Sequence, residues 1–264
     1  MSNNLSLPTI GALWIGGKLG TMASACLTSF LMRGHQVNLY TYGQLPDVPN
    51  GITVCDGNEI IHHSKIIKHE KTQSYALFSD IFRYELLHKK PKTIYVDCDV
   101  YCVQPISLPE HGYLFGYERD NLINGAILAL PKDSATLQSL RNIIDTPNFT
   151  PEWYSPFRKF RLKIKRLFGS HQHISQMAWG VAGPSAITYY TNHHDVDHLA
   201  QPLDVLYPIQ YDTVLKLLDP ALTLDDIITE RSVCVHLYNE VLRHQDLSHI
   251  DKNCVLAKML DNQI

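Results

Sequence analysis

Two carboxylates stand two residues apart in Asp97-Cys98-Asp99, directly after the apolar run Ile94-Tyr95-Val96. In an extended chain, side chains at i and i+2 share a face, so two like charges would meet there unless a cation or strong donors neutralise them. Hard divalent cations such as Mg²⁺ or Mn²⁺ take oxygen ligands, often one or two carboxylates together with substrate phosphates. The pair therefore reads as a metal–diphosphate site at a strand end; the plain alternative is a solvated turn after an edge strand. Upstream, Asp80 and Arg83 are three apart on one face of a predicted helix. Their neighbours Ala76, Leu77, Ile81, Phe82, Leu86 and Leu87 are apolar, which places the pair partly inside. The alternative is a surface ion pair worth about 0.3–0.5 kcal/mol. In a buried setting the Asp can accept hydrogen bonds from sugar hydroxyls, and the Arg can orient a phosphate or that Asp.

The elements that must hold these residues follow from the pattern. Thr9–Ile15 is short and apolar, ends in Gly16-Gly17, and reads as a buried strand. Met22–Met32 reads as a helix with Gly34 as its stop, Gln36–Tyr42 as an alternating strand, and residues 72–90 as a long helix that Pro91 ends. Thr93–Val96 is the strand that delivers the carboxylates. This strand–helix order predicts an α/β fold with a largely parallel sheet and helices on both faces, in which ligands bind at the carboxyl ends of the strands. Further on, Tyr113–Tyr117, Ala126–Leu130 and Ser232–His236 read as strands, and Ser134–Ile144 and Val255–Leu260 as helices. Residues 145–157 read as a loop, and Gly183-Pro184 as a turn into a helix. No repeat or low-complexity linker interrupts the chain, so residues 1–264 are expected to form one domain, with a first part over 1–106 and a second over 107–264.

Composition narrows the class. The chain has 264 residues, 45% hydrophobic and 19% charged, with a formal net charge of −3. This is a globular composition that gives no case for nucleic-acid binding. The opening residues lack a basic segment followed by an apolar core, and there is no apolar run long enough to span a membrane. Six scattered cysteines without a C-x-x-C pair suit buried thiols in a reducing compartment, hence a cytoplasmic protein. The pairs His62-His63 and His193-His194 read as surface loops.

The stretch FSDIFRYELLHKKPKTIYVDCDVYCVQPI resembles the D-x-D region of family 32 glycosyltransferases of the GT-A fold, whose relatives include the glucosylating clostridial toxins. The pattern S-D-x-x-R-x-x-x-L, a short gap, then I-Y-x-D-x-D-x-x-x-x-x-P is met at every fixed position from Ser79 to Pro105; Lys90-Pro91-Lys92 replaces the usual Gly-Gly. The resemblance implies a single Rossmann-like mixed sheet flanked by helices. It also implies metal-dependent, retaining transfer of a hexose or N-acetylhexosamine from a nucleotide diphosphate sugar, most often a UDP-sugar, to a saccharide acceptor. Asp97 would contact the ribose and the metal shell, and Asp99 would bind Mn²⁺ or Mg²⁺. Tyr95, Asp80 and Arg83 would line the donor sugar and phosphates. Trp14 resembles the opening W-x-G segment and would stack on the base, unless it is a core tryptophan. Asn124 in Asn124-Gly125-Ala126 would face the sugar, unless Asn-Gly is a turn. Ala182-Gly183-Pro184 stands where the family has T-G-P. Val235-His236-Leu237-Tyr238-Asn239 resembles the V-H segment, making His236 the third metal ligand and placing Asn239 beside it or the diphosphate.

Residues 158–166 hold six basic and no acidic residues. On a helix, Phe157, Phe160, Ile164, Leu167 and Phe168 share one face and, Leu162 apart, the cations take the rest. Segment 157–168 thus suits an anionic membrane at the inner face, and with it a lipid-linked or surface-polysaccharide acceptor. Its alternatives are a helix covering the sheet or a basic lid over the donor. Two rival functions remain: a non-catalytic sugar-nucleotide-binding protein, and a haloacid-dehalogenase-type phosphatase. The latter lacks its usual continuation, since Val100 is followed by Tyr101 and Asp225-Asp226 lacks the glycine context.

Overall fold

The computed structural model describes residues 7–146, 148–169 and 173–264; the first six residues of the segment read for a signal lie outside them. A six-stranded sheet forms the centre. Its strands are β1 (Thr9–Trp14), β2 (Val37–Thr41), β3 (Thr53–Asp56), β4 (Thr93–Val96), β6 (Leu114–Arg119) and β7 (Leu122–Ala129), in the order β3-β2-β1-β4-β7-β6. A second, two-stranded sheet pairs β5 (Val100–Cys102) with β8 (Cys234–His236). The α/β class is as expected. The sheet is mixed: β1 to β4 are parallel, while β7 runs antiparallel to both β4 and β6. The two strands on the β4 side, β7 and β6, come from residues beyond 106, so the second part of the chain completes the sheet of the first.

The strand order reverses at β1. From β1 the chain builds outward through β2 to β3, then returns to place β4 on the other side. A crevice at the carboxyl ends of β1 and β4 results, which is where open α/β sheets bind ligands. Trp14 ends one of these strands and Asp97 follows the other.

Helices α1 (Gly20–Met32), α2 (Ala76–Lys89), α3 (Ala135–Asp145), α4 (Pro156–Leu167) and α5 (Pro184–His193) follow in the chain. The short helices α6 (Leu203–Leu206) and α7 (Asn239–Leu242) and the terminal α8 (Val255–Leu260) complete it. Strand alternation sorts the core into two layers. Ile10, Ala12, Ile94 and Val96 pack with Leu27 and Phe30 of α1. Leu13, Tyr95 and Leu128 point the other way, onto Phe78, Phe82 and Leu86 of α2 with α3 and α5 behind. Gly11 lets α2 approach: a Cβ there would lie 2.8 Å from the Leu86 side chain.

Several boundaries differ from expectation. The helix read from 72 begins at Ala76, because Gln73 has a φ of +54° and the Ser74 hydroxyl accepts from the Ala76 N–H. The strand read from Ala126 begins at Leu122, after a turn in which Asn121, not Asn124-Gly125, takes positive φ. His193 ends a helix instead of lying in a loop. Gly34 stops α1 as expected, at φ +88°. All six cysteines are free thiols, five of them buried. Among the described residues no helix is long and apolar enough to cross a membrane.

Phe82 seats α2 on the sheet. It is fully buried, and its ring lies 5.7 Å from that of Tyr40 and 6.2 Å from that of Phe78. Phe82→Ala is expected to cost about 3–5 kcal/mol through lost burial and an unfilled cavity. Urea denaturation should show a lower midpoint at an unchanged slope.

Candidate functional site

The expectation that Asp97 and Asp99 share a strand face does not hold, because β4 stops at Val96. Asp97 N–H still bonds the Ala126 carbonyl at 2.8 Å, and the chain then turns, with Val100 N–H on the Asp97 carbonyl at 3.1 Å. The turn aims the two carboxylates apart, each toward its own donors. Asp97 accepts from the Tyr95 hydroxyl at 2.8 Å and pairs with Arg83 at 3.3 Å. Asp99 faces His236 Nε2 at 3.2 Å and accepts from the Asn239 backbone N–H at 2.9 Å. The antiparallel β5–β8 pairing makes this contact possible, setting His236 opposite Val100.

Arg83 sits one helical turn from Asp80 and bonds it at 3.3 Å, so one buried guanidinium serves two carboxylates. The Tyr95 ring lies 4.7 Å beneath the guanidinium, and its hydroxyl is also shared with Ser79. Two glycines make room. A Cβ on Gly125 would stand 2.6 Å from an Arg83 nitrogen, and one on Gly183 would stand 2.7 Å from the Asp80 carboxylate. The Tyr84 hydroxyl fastens the second of these segments to α2 by donating to the Ala182 carbonyl at 2.6 Å. Both glycines lie inside the short motifs quoted above, yet motif reading assigned roles to their neighbours and missed them.

Exposure divides the cluster. The Asp97 and Asp99 side chains keep 27% and 22% of their surface, against 11% for Asp80 and 6% for Arg83. An incoming ligand meets the D-x-D carboxylates first, with Asp80 and Arg83 closed behind them. Tyr95, expected to line a donor, is fully buried and instead positions Asp97. Asn239 contributes its backbone N–H, while the residue itself is exposed. Asn124 is buried within β7, its amide donating to Glu118 and its side-chain oxygen accepting from Ala126 N–H. Trp14 is half-buried at the crevice rim, its indole N–H bonded to the Lys18 carbonyl at 2.9 Å. Tyr238, which the sequence did not single out, stacks 4.0 Å from His236 and carries a φ of +46°. Left-handed backbone at a bulky residue is a strained conformation that clusters at functional sites.

The titration behaviour follows from this geometry. Burial pushes the Asp80 carboxyl up to about 7, with Arg83 pulling it down and Asp97 pushing it up further. Burial also raises Asp97 against the pull of Arg83. For Asp99 burial acts upward too, but the His236 contact and the Asn239 N–H outweigh it and leave the group below the usual range. His236 is the converse: burial opposes its charge, and Asp99 more than restores it. The Cys98 thiol is raised by burial and by both flanking carboxylates, which disfavours a thiolate nucleophile.

The half-open oxygens are those of Asp97 and Asp99, and the His236 imidazole lies buried against Asp99. That set suits a hard or borderline divalent cation. The imidazole Nδ1 is buried and has no hydrogen-bond partner. Among the described residues no three His, Cys, Asp or Glu side chains are already closed around a common point; the nearest approach is the Asp99–His236 contact.

No protein-family model and no curated protein matches the chain by sequence. Among solved structures, an active-site mutant of LgtC is similar to it over 69% of each chain, at 9% identity and a TM-score of 0.32. That likeness says nothing of what this chain binds or does.

Two outcomes are expected. A carboxyl raised in the folded state opposes folding once it ionises, so its penalty is absent below its ordinary value of 3.8 and complete above about 7. Stability should therefore fall between pH 5 and pH 8 through this group. Asp80→Asn should flatten that fall in denaturant titrations at the two pH values; an undiminished slope rejects the assignment. Gly125→Ala should cost about 1–3 kcal/mol by overpacking against Arg83 and Ile187, read as a lowered thermal midpoint.

Proposed function

We propose that this chain is a glycosyltransferase of the GT-A type. It would move a hexosyl or N-acetylhexosaminyl group from a nucleoside diphosphate sugar, a UDP-sugar first, to a saccharide hydroxyl. The observation that carries the reading is the half-open carboxylate pair at the β1/β4 switch point, backed by a buried Arg83 and faced by His236. The resemblance of residues 79–105 to family 32 supports it independently of the geometry.

Asp97, Asp99 and His236 would hold Mn²⁺ or Mg²⁺. When bound, such a cation supplies positive charge to the leaving diphosphate. The protein's own groups do the rest. Arg83 favours the ionised form of Asp97 against its burial and adds fixed positive charge behind it. Asp80, poised near neutral pH, can accept from or donate to a sugar hydroxyl at the floor of the crevice. Trp14 at the end of β1 would offer an aromatic surface to the base, while Asn124, engaged with Glu118 and Ala126, would act by holding β7 in place. In the retaining course the C1–O bond to the diphosphate breaks and a C1–O bond to the acceptor forms on the same face. The acceptor proton passes to the departing phosphate oxygen. No side chain is placed as a covalent nucleophile in this course, in keeping with a Cys98 thiol held protonated.

Asp97→Asn and Asp99→Asn are expected to lower Mn²⁺-dependent hydrolysis or transfer, screened over a panel of nucleotide sugars, by at least about 100-fold, roughly 2.7 kcal/mol of transition-state stabilisation. Circular dichroism should stay unchanged. Undiminished turnover in both variants, or nucleotide binding by the wild type without any turnover, overturns the transferase reading; the second result identifies a binding protein.

A further inference from the structure

Helix α4 is seated by its polar side. Leu162 is buried, Arg166 donates to the Phe149 carbonyl at 2.9 Å and the Thr150 hydroxyl at 2.6 Å, and Arg158 lies 4.2 Å over the Tyr154 ring. At about 100° per residue these three positions fall on one side of the helix. The opposite side carries Phe157, Phe160, Ile164, Leu167 and Phe168, exposed by 70%, 59%, 37%, 76% and 85%. A helix laid over the sheet would hide this stripe, so the covering role is ruled out. A contiguous apolar stripe left in water marks an interaction surface.

Charge selects the occupant. Arg161 and Lys165 flank the stripe on one edge and Lys163 on the other, and all three are exposed. The sequence has no acidic residue between Glu152 and Asp195. Two copies paired through this face would bring their cations together with no acidic counterpart. An anionic lipid surface satisfies both features: the apolar side chains enter the acyl boundary while the long basic side chains reach the headgroups.

We propose that α4 docks the protein on an anionic bilayer, its axis in the interface plane and its five apolar side chains inserted. Taken with the transferase reading, on which this step alone rests, the acceptor is a saccharide carried on a lipid in that surface.

Co-sedimentation with phosphatidylglycerol–phosphatidylcholine vesicles is expected to pellet the protein, more weakly as salt rises, and pure phosphatidylcholine vesicles are not. Replacing Phe160, Leu167 and Phe168 together by Ser should weaken binding at least tenfold without lowering the thermal midpoint, since all three are exposed. Replacing Arg161, Lys163 and Lys165 by Gln should do the same. No pelleting, equal pelleting with neutral vesicles, or undiminished binding in both variants overturns the proposal. So does a dimer in sedimentation velocity that the Ser variant abolishes while vesicles are ignored. Hydrolysis of nucleotide sugar in solution, unchanged in these variants, keeps the two readings separate: its absence from the wild type would sink the transferase and leave the docking result standing.

Discussion

One guanidinium between two buried carboxylates sets the terms for the rest of the site. Removing charges from water costs several kcal/mol each unless partners replace the lost hydration. Arg83 meets that cost for Asp80 through the turn of α2 and for Asp97 across to the end of β4. The arrangement demands empty space beside the ions, which Gly125 and Gly183 provide, and a donor to fix Asp97, which Tyr95 provides from beneath. Gly125 and Tyr95 are constrained by Arg83 itself, and Gly183 by the Asp80 that Arg83 holds. Burial raises the Asp80 carboxyl, Arg83 opposes the rise and Asp97 adds to it.

The other half of the site depends on topology. Asp99 would be an uncompensated carboxylate in a turn if β8 did not return, more than a hundred residues later, to pair with β5. That pairing brings His236 into contact and the first N–H of α7 onto the same carboxylate. Asp97 and Asp99, two residues apart, thus each face a basic partner yet shift in opposite directions, Asp97 up and Asp99 down. One is tied to the α2 layer and one to the small β5–β8 sheet.

The sequence announced the anions and cations of this site well and their supports poorly. Asp97, Asp99, Asp80 and Arg83 stood out because charge next to an apolar run is unusual, although strand phase misplaced the first two relative to each other; His236 was singled out only by the family resemblance. The strands β1, β2 and β4 and the helices α1, α3 and α8 were legible from periodicity and caps. Strands β3 and β5 were not: they are four and three residues long, too short to show a period. Gly183-Pro184 does open a helix as read, but the close approach of both glycines stayed hidden, because only the neighbour in space shows it. For Asn124-Gly125 the turn lay three residues earlier, at Asn121. The family resemblance gives Tyr95 a donor-lining role, whereas its own contacts are with Asp97, Ser79 and Arg83. Strand alternation, applied strictly, would have turned it into the α2 layer opposite Ile94 and Val96.

The net charge of −3 conceals two opposed regions whose placement in the fold connects them. Six of the cations lie in α4, which leaves the remaining chain markedly acidic. A cavity of about 230 Å³ lies between the start of α4 and the start of α5, lined by Trp153, Tyr154, Arg158, Trp179, Val181 and Ser185. Val181 and Ser185 bracket Gly183, the residue that abuts Asp80. The basic, outward-facing helix is therefore one packed segment away from the floor of the acidic crevice. Tyr84 holds that segment on α2 through the Ala182 carbonyl, so the residues that line the cavity on the α4 side and the glycine that packs on Asp80 share one short stretch of chain.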